Sequence, residues 1–244
     1  MHAVEDRMWW YRGLRTLVSG LLVEALTRSG AAAGPVLDAG CGTGGMLAHL
    51  SATAAADRTV GLEAVGLEFD AIAAGLAARK SGRPVVRGSA NELPMRDGGL
   101  GGYVSLDVLC HGGVEPDRAV AEARRCLAPG GVMVLNLPAY AWLLSAHDKR
   151  VHNVRRFTRG QACALLTANG FRILRTSYWN TLLFPLMLLH RLLERNAAAS
   201  DVHDYPAWQD ALFSAALAIE RAAIGAGLSL PFGGSLIIVA ARDG

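Results

Sequence analysis

Residues 35–45, Pro35-Val36-Leu37-Asp38-Ala39-Gly40-Cys41-Gly42-Thr43-Gly44-Gly45, constrain this chain more than any other stretch. A short apolar run ends in an acidic residue and passes into a glycine-rich turn. Met46-Leu47-Ala48-His49-Leu50 then reads as a helix. Glycine at 40, 42 and 44 lets the backbone turn sharply and lets a ligand approach where a Cβ would collide. The helix start behind the turn offers free N–H groups to an anion or a polar ligand. Dinucleotide-binding folds use the same device, so the ligand must be read from the surrounding text.

After this turn the pattern alternates strand and helix, which predicts a mostly parallel sheet. Strands are expected at 36–39, 64–68, 84–87, 103–106, 132–136, 171–177 and 235–241. Helices are expected at 12–29, 45–55, 70–80, 115–126 and 158–168, and from Pro206 to about Gly225. Leu127-Ala128-Pro129-Gly130-Gly131 reads as a stop signal. At 244 residues the chain suits one α/β domain with a full core. Its expected parts are an N-terminal helix in 1–30, a ligand-binding core in 31–177, a helical insertion in 178–230 and a last strand in 231–244.

The chain is 52% hydrophobic and 18% charged, which excludes disorder. A net charge of +3, with one basic cluster from Lys149 to Arg159, is too little for a nucleic-acid partner. Cys41, Cys110, Cys126 and Cys163 occur singly, so reduced thiols and a cytoplasmic setting are expected. The first residues lack the apolar run of a signal peptide, and no stretch is long enough to span a bilayer.

The text D-x-G-C-G-T-G at 38–44 resembles motif I of the class I S-adenosylmethionine (SAM)-dependent methyltransferases. The resemblance implies a Rossmann-like, seven-stranded, mostly parallel α/β sheet whose last two strands are antiparallel. Here a helical cap is inserted between strands 6 and 7. It also implies SAM as cofactor, S-adenosylhomocysteine (SAH) as product, and a small-molecule acceptor. By the same resemblance Asp38, Gly40, Cys41, Gly42, Thr43 and Gly44 line the donor. Glu68 ends the second strand and binds the ribose, with Phe69 beside it and Asp70 capping the next helix. Gly88-Ser89-Ala90-Asn91-Glu92-Leu93-Pro94 resembles the adenine-binding segment, with Ser89 where the family usually has Asp. Adenine contacts therefore fall to Ser89 and to the backbone at Ala90 and Asn91. Ser105-Leu106-Asp107-Val108-Leu109-Cys110-His111 resembles the segment after strand 4, which places Asp107 and His111 near both donor and acceptor. Tyr11 and Arg15 (or Arg12), from an aromatic and basic entry, are candidates for folding over SAM, with Arg pairing to its carboxylate. An amphipathic helix packed on the core would account for the same residues.

The loop from Asn136 to Thr158 resembles the corresponding loop of the ubiquinone-biosynthesis O-methyltransferase group. Its Tyr140, Trp142, Arg155 and Arg156 are candidate acceptor contacts. His111, His147 and His152 are candidate bases, since an oxygen acceptor must lose a proton and histidine is suited in pKa. Asp148 is a candidate orienting partner. A metal held by His147, Asp148 and His152 is an alternative, set aside because no further ligand stands out, so no metal is expected. The apolar stretch 181–193 has three readings: a buried cap helix, a peripheral membrane contact, or a homodimer surface. Transfer to carbon or nitrogen stays open, as does a non-catalytic SAM-binding partner. An NAD-linked oxidoreductase is disfavoured by Asp38 and Cys41 in the methyltransferase pattern.

Overall fold

A computed structural model of the chain describes residues 5–29, 34–56, 63–145, 148, 150–193 and 205–244, excluding the side chains of 54–56 and 190–193. Its elements in chain order are α1 (Trp9–Ser29), β1 (Val36–Ala39), α2 (Gly45–Ala56), β2 (Ala64–Glu68), α3 (Ala71–Ser81), β3 (Val85–Arg87) and β4 (Leu100–Leu106). These are followed by α4 (Pro116–Cys126), β5 (Leu127–Pro138), α5 (Arg159–Ala168), β6 (Phe171–Trp179), α6 (Phe184–Leu193), α7 (Ala207–Gly225) and β7 (Ser235–Arg242). One seven-stranded sheet has the order β3-β2-β1-β4-β5-β7-β6. β1 to β5 are parallel, and β7 runs antiparallel to both β5 and β6.

Local chemistry sets the element ends. Asp70 caps α3 by accepting from Ile72 and Ala73 N–H, and Gly82 closes it in the left-handed conformation. Thr158 and Gln161 form a capping box at α5. α4 ends at Cys126 as the stop signal predicts, and Pro129, Gly130 and Gly131 lie inside β5, which starts earlier than expected. The pairing register with β4 shifts there between Leu100 and Gly102, so the pair absorbs the glycines as a bulge.

Period-two alternation splits the sheet into two cores. Leu236, Ile238 and Ala240 of β7 face α4 and α5, whereas Ile237 and Val239 face α1, α2 and α7. α7 therefore corrects part of the expected cap: it is a layer helix of the sheet. Its Phe213, Leu217 and Ile224 are buried against α1, and a Cβ at Gly13 would lie 2.5 Å from Leu217 Cδ1. Arg12 donates to Asp210 at 2.5 Å and to Ser214 at 2.9 Å, so it ties α1 to α7 and does not reach the glycine turn. α6 stays at the carboxyl edge, where Glu220 accepts from Leu182 N–H at its start. Among the described residues, no helix is long and apolar enough to cross a membrane.

Candidate methyl-transfer site

The chain leaves β1 through Gly40, Gly42 and Gly44, which take φ of 76°, 55° and 91°. Their surroundings differ. A Cβ at Gly40 would lie 2.3 Å from Val108 Cγ2, and one at Gly44 would lie 2.6 Å from Ala77 Cα. A Cβ at Gly42 would meet nothing within 4 Å, so this glycine faces away from the fold. Gly40 and Cys41 N–H both donate to Leu67 O, at 2.8 and 3.0 Å, fastening the turn to β2. Glu68, at the end of β2, accepts from Gly42 N–H at 2.8 Å and from Asp70 N–H at 2.9 Å. The expected ribose ligand is thus also a clasp on the turn.

Asp38 is almost fully buried, and its Oδ2 has no hydrogen-bond partner among the described residues. Burial, reinforced by the negative Glu68, pushes its carboxyl up to about 7, although Leu47 N–H works against the shift. A buried orphan oxygen is costly, and an ammonium group would satisfy it. This oxygen and the left-handed glycine cradle fit the amino-acid part of SAM.

The N-terminal segment covers the same turn. Thr43 Oγ1 donates to Glu5 at 2.5 Å, and Lys80 binds both Glu5 and Asp6, the latter at 2.8 Å. Arg15 is buried, lies 3.5 Å from Asp6, and would sit 2.8 Å from a Cβ at Gly45. Burial, then the charges of Asp107 and Glu5, raise Tyr11 to about 12. Arg15 lies beside the turn.

At the end of β4, Asp107 takes a φ of 56°, uncommon for a residue with a side chain. Asn136 Nδ2 donates to Asp107 Oδ1 at 2.9 Å, and Trp179 Nε1 donates to Asn136 Oδ1 at 2.7 Å. Burial pushes the Asp107 carboxyl up to about 7 despite Arg156 and the Asn136 hydrogen bond, with Asp148 adding to the rise. The Asp107 carbonyl accepts from Cys110 Sγ at 2.9 Å. Burial and the nearby His152 hold His111 below its ordinary value.

The acceptor loop departs from expectation. Arg156 binds Asp148 through both carboxylate oxygens, at 2.8 and 2.9 Å, and both residues are buried. Burial opposes ionisation of Asp148, but the guanidinium and the Ser145 donors outweigh it and hold the carboxyl low. Among the described residues Asp148 therefore orients Arg156 and no histidine. Arg155 donates to the carbonyls of Leu109, His111 and Val114 at 2.7–3.0 Å. Both arginines, expected to meet the acceptor, are bonded within the fold: Arg155 braces the segment after β4, and Arg156 ties Asp148 to Ala139 O in the loop after β5. His152 is exposed on the same rim with φ 59°, and His147 lies outside the described residues.

Asn91 is also spent internally. Its Nδ2 donates to Gly113 O at 3.0 Å, its Oδ1 accepts from Glu115 N–H at 2.9 Å, and its own N–H donates to Ser89 Oγ at 3.2 Å. Ala90 is buried beside it, while Phe69 stands 74% exposed at the other rim.

Tyr140 lies in a ring cluster, stacked on Tyr178 (centroids 5.1 Å apart) and on Trp142 (5.7 Å). Phe184 meets both Tyr140 and Trp142 edge-on and leads to Phe232. Trp142, Phe232, Leu182 and the α6 residues Leu186 and Leu189 are exposed. Sequence reasoning missed Glu5, Lys80, Asn136 and Trp179. Asn136 had a signal, since it is the polar residue in the apolar run Val132-Met133-Val134-Leu135-Asn136-Leu137.

Residues 37–135, spanning the glycine turn through β5, match the family described as a methyltransferase domain. No curated protein matches the sequence. Among solved structures, a candidate sarcosine dimethylglycine methyltransferase from Galdieria sulphuraria is 18% identical, with a TM-score of 0.60, covering 94% of this chain and 86% of that one. A candidate methyltransferase complexed with the Haloferax volcanii Trm112 methyltransferase activator is 18% identical, with a TM-score of 0.58 and coverages of 96% and 93%. The geranyl diphosphate C-methyltransferase from Streptomyces coelicolor A3(2), in complex with Mg2+, geranyl diphosphate and S-adenosyl-L-homocysteine, is 16% identical, with a TM-score of 0.55 and coverages of 90% and 78%. The domain match over residues 37–135, set in this sheet and on this glycine turn, supports a class I SAM-dependent methyltransferase.

Proposed function

We propose that the chain methylates a small, apolar or lipid-like acceptor at oxygen, with His111 taking the proton. When bound, SAM supplies an electrophilic methyl carbon on a sulfonium. Asp38 accepts the donor's ammonium group through its orphan oxygen. Glu68 accepts from the ribose hydroxyls with the lone pairs that Gly42 and Asp70 leave, and Ala90 N–H meets the adenine.

The observation that carries the oxygen reading is the half-buried His111, held in the turn after β4 by its backbone N–H to Val108 O at 3.0 Å. The depressed pKa keeps the ring neutral near pH 7, in the form a general base requires. His111 removes the acceptor's O–H proton while the oxygen bonds the methyl carbon and the sulfur keeps the S–C electron pair. The products are a methyl ether or ester, SAH and an imidazolium that returns its proton to water. Alignment of the reactants and exclusion of water supply much of the rate.

The apolar character of the acceptor rests on the rings of Tyr140, Trp142, Phe184 and Phe232 and on the exposed leucines of α6. These leucines also support delivery of the acceptor from a lipid surface. The solved relative that holds geranyl diphosphate keeps transfer to carbon as the second reading. The test offers methyl-labelled SAM with long-chain phenols and prenols, and with polar amines of similar size. Label recovered in ethers of the apolar hydroxyl compounds is expected. Label recovered only in amines would overturn the reading.

A further inference from the structure

We propose that Asp107 discriminates the sulfonium donor from its uncharged thioether product, and that Asn136 and Trp179 are positioning residues that hold its carboxyl for this. The inference rests on the donor site described above, and it assigns a binding preference in place of a chemical step.

Three observations place the carboxyl. Val108, the next residue, packs so tightly on the glycine turn that a side chain at Gly40 would overlap it, which joins the end of β4 to the end of β1. Asp107 holds a left-handed backbone, and such conformations persist where the surroundings enforce them, often at functional sites. Its carboxyl is gripped from neighbouring strands: Asn136 on β5 donates to it, and Trp179 on β6 fixes which way the Asn136 amide points. Asn136 and Trp179 are fully enclosed, and Trp10 of α1 stacks on Trp179 with centroids 5.7 Å apart. A residue serving only as a turn cap would need no such chain of partners.

The charges around the carboxyl point the same way. Tyr11 of α1, and Arg156 and Asp148 of the loop after β5, are the charged or titratable groups that act on it, and His111 follows four residues on. The charge of Arg156 is already matched by its bidentate bond to Asp148. Among the described residues, Asp107 has no ion-pair partner of its own, and burial of its carboxyl disfavours the charged form. A positive sulfur brought to the strand ends relieves that penalty, and a neutral sulfur does not. Because SAM and SAH share the ammonium, carboxylate, ribose and adenine, contributions from Asp38 and Glu68 cancel in the ratio of their affinities. The ratio isolates the group that senses the sulfonium. An ionised Asp107 therefore favours loading of donor over retention of product.

The test is calorimetric titration of SAM and of SAH into the full chain, with no acceptor required. Asp107→Asn keeps an oxygen for Asn136 and should cut the SAM-over-SAH preference by about tenfold, as expected for losing one charge pair at a partly screened site. Trp179→Phe keeps a ring under Trp10 but removes the N–H, and Asn136→Ala removes the donor. Each should cut the preference about threefold, the scale of one hydrogen bond. An unchanged ratio in Asp107→Asn overturns the proposal. A reduced ratio there, with unchanged ratios in both other variants, overturns the positioning role. A chain that binds neither compound overturns the donor site itself and the inference with it. Should the variants misfold, the preference in the unaltered chain should rise with pH through neutrality, and a flat profile overturns the proposal. Protonation of His111 acts in the same direction, so the pH series is repeated in His111→Ala, where the rise should persist.

Discussion

Val108 occupies the space that a side chain at Gly40 would need, with its Cγ2 2.3 Å from where that Cβ would stand. The donor-binding turn and the strand end that carries Asp107 and His111 are therefore one packed unit. The three glycines of the turn should respond differently to substitution. Gly40→Ala and Gly44→Ala meet Val108 and the Ala77 backbone, and each should lower stability by about 1–3 kcal/mol. Gly42→Ala meets nothing in the fold and pays only the left-handed cost of about 1–2 kcal/mol, yet it obstructs the donor. Chemical denaturation alongside SAM titration separates the classes.

SAM affinity should increase as pH rises through neutrality. Asp38 and Asp107 have folded-state values near 7, above their ordinary range, so both carry protons at pH 5.5 and must lose them to meet a cation. Binding should therefore release protons between about pH 5.5 and 7.5. Without ligand the sign for stability is opposite. A raised carboxyl contributes stability that is fully present below its unfolded value and is lost as pH rises through 7. The stabilising shift in melting temperature caused by SAM should accordingly be larger at pH 8 than at pH 5.5.

Glu68→Ala should weaken SAM by about 1–3 kcal/mol, the cost of losing a charged hydrogen-bond partner. Glu68→Gln should cost less, because one amide oxygen can still accept from Gly42 N–H. Equal and negligible losses in both variants would place the ribose elsewhere.

The Asp148–Arg156 pair is structural, and its removal should register in stability before activity. Asp148→Ala strands a buried guanidinium and should cost about 3–5 kcal/mol. Urea denaturation reads this directly. A loss below about 1 kcal/mol would mean that the pair is solvated and Arg156 is free for the acceptor.

The fold was legible because its signals are local. Short apolar runs marked the strands, and Asp70 and Thr158 act within their own turns. The Asp38-to-Gly44 turn was legible for the same reason, since backbone conformation and close packing leave glycine few substitutes at 40 and 44. The acceptor side was less so. Arg155 and Arg156 read as surface cations, but their partners are carbonyls and a carboxylate that only the folded loop brings together. Asn136, Trp179 and Trp10 connect across residues distant in sequence, and no spacing rule announces such a chain. α7 read as part of a cap because it lies in the long insertion between strands 6 and 7. Its packed stripe lies on α1, and Trp208, Leu212 and Ile219 are exposed.

The most direct test of donor use by this turn is calorimetric titration of SAM, with NAD as control, into the unaltered chain and into Gly42→Val at pH 7.5. Saturable binding of one SAM per chain is expected, together with no NAD binding and loss of SAM binding in a variant whose circular dichroism shows the fold retained. SAM affinity equal in the two proteins, or NAD binding in place of SAM, would contradict the account.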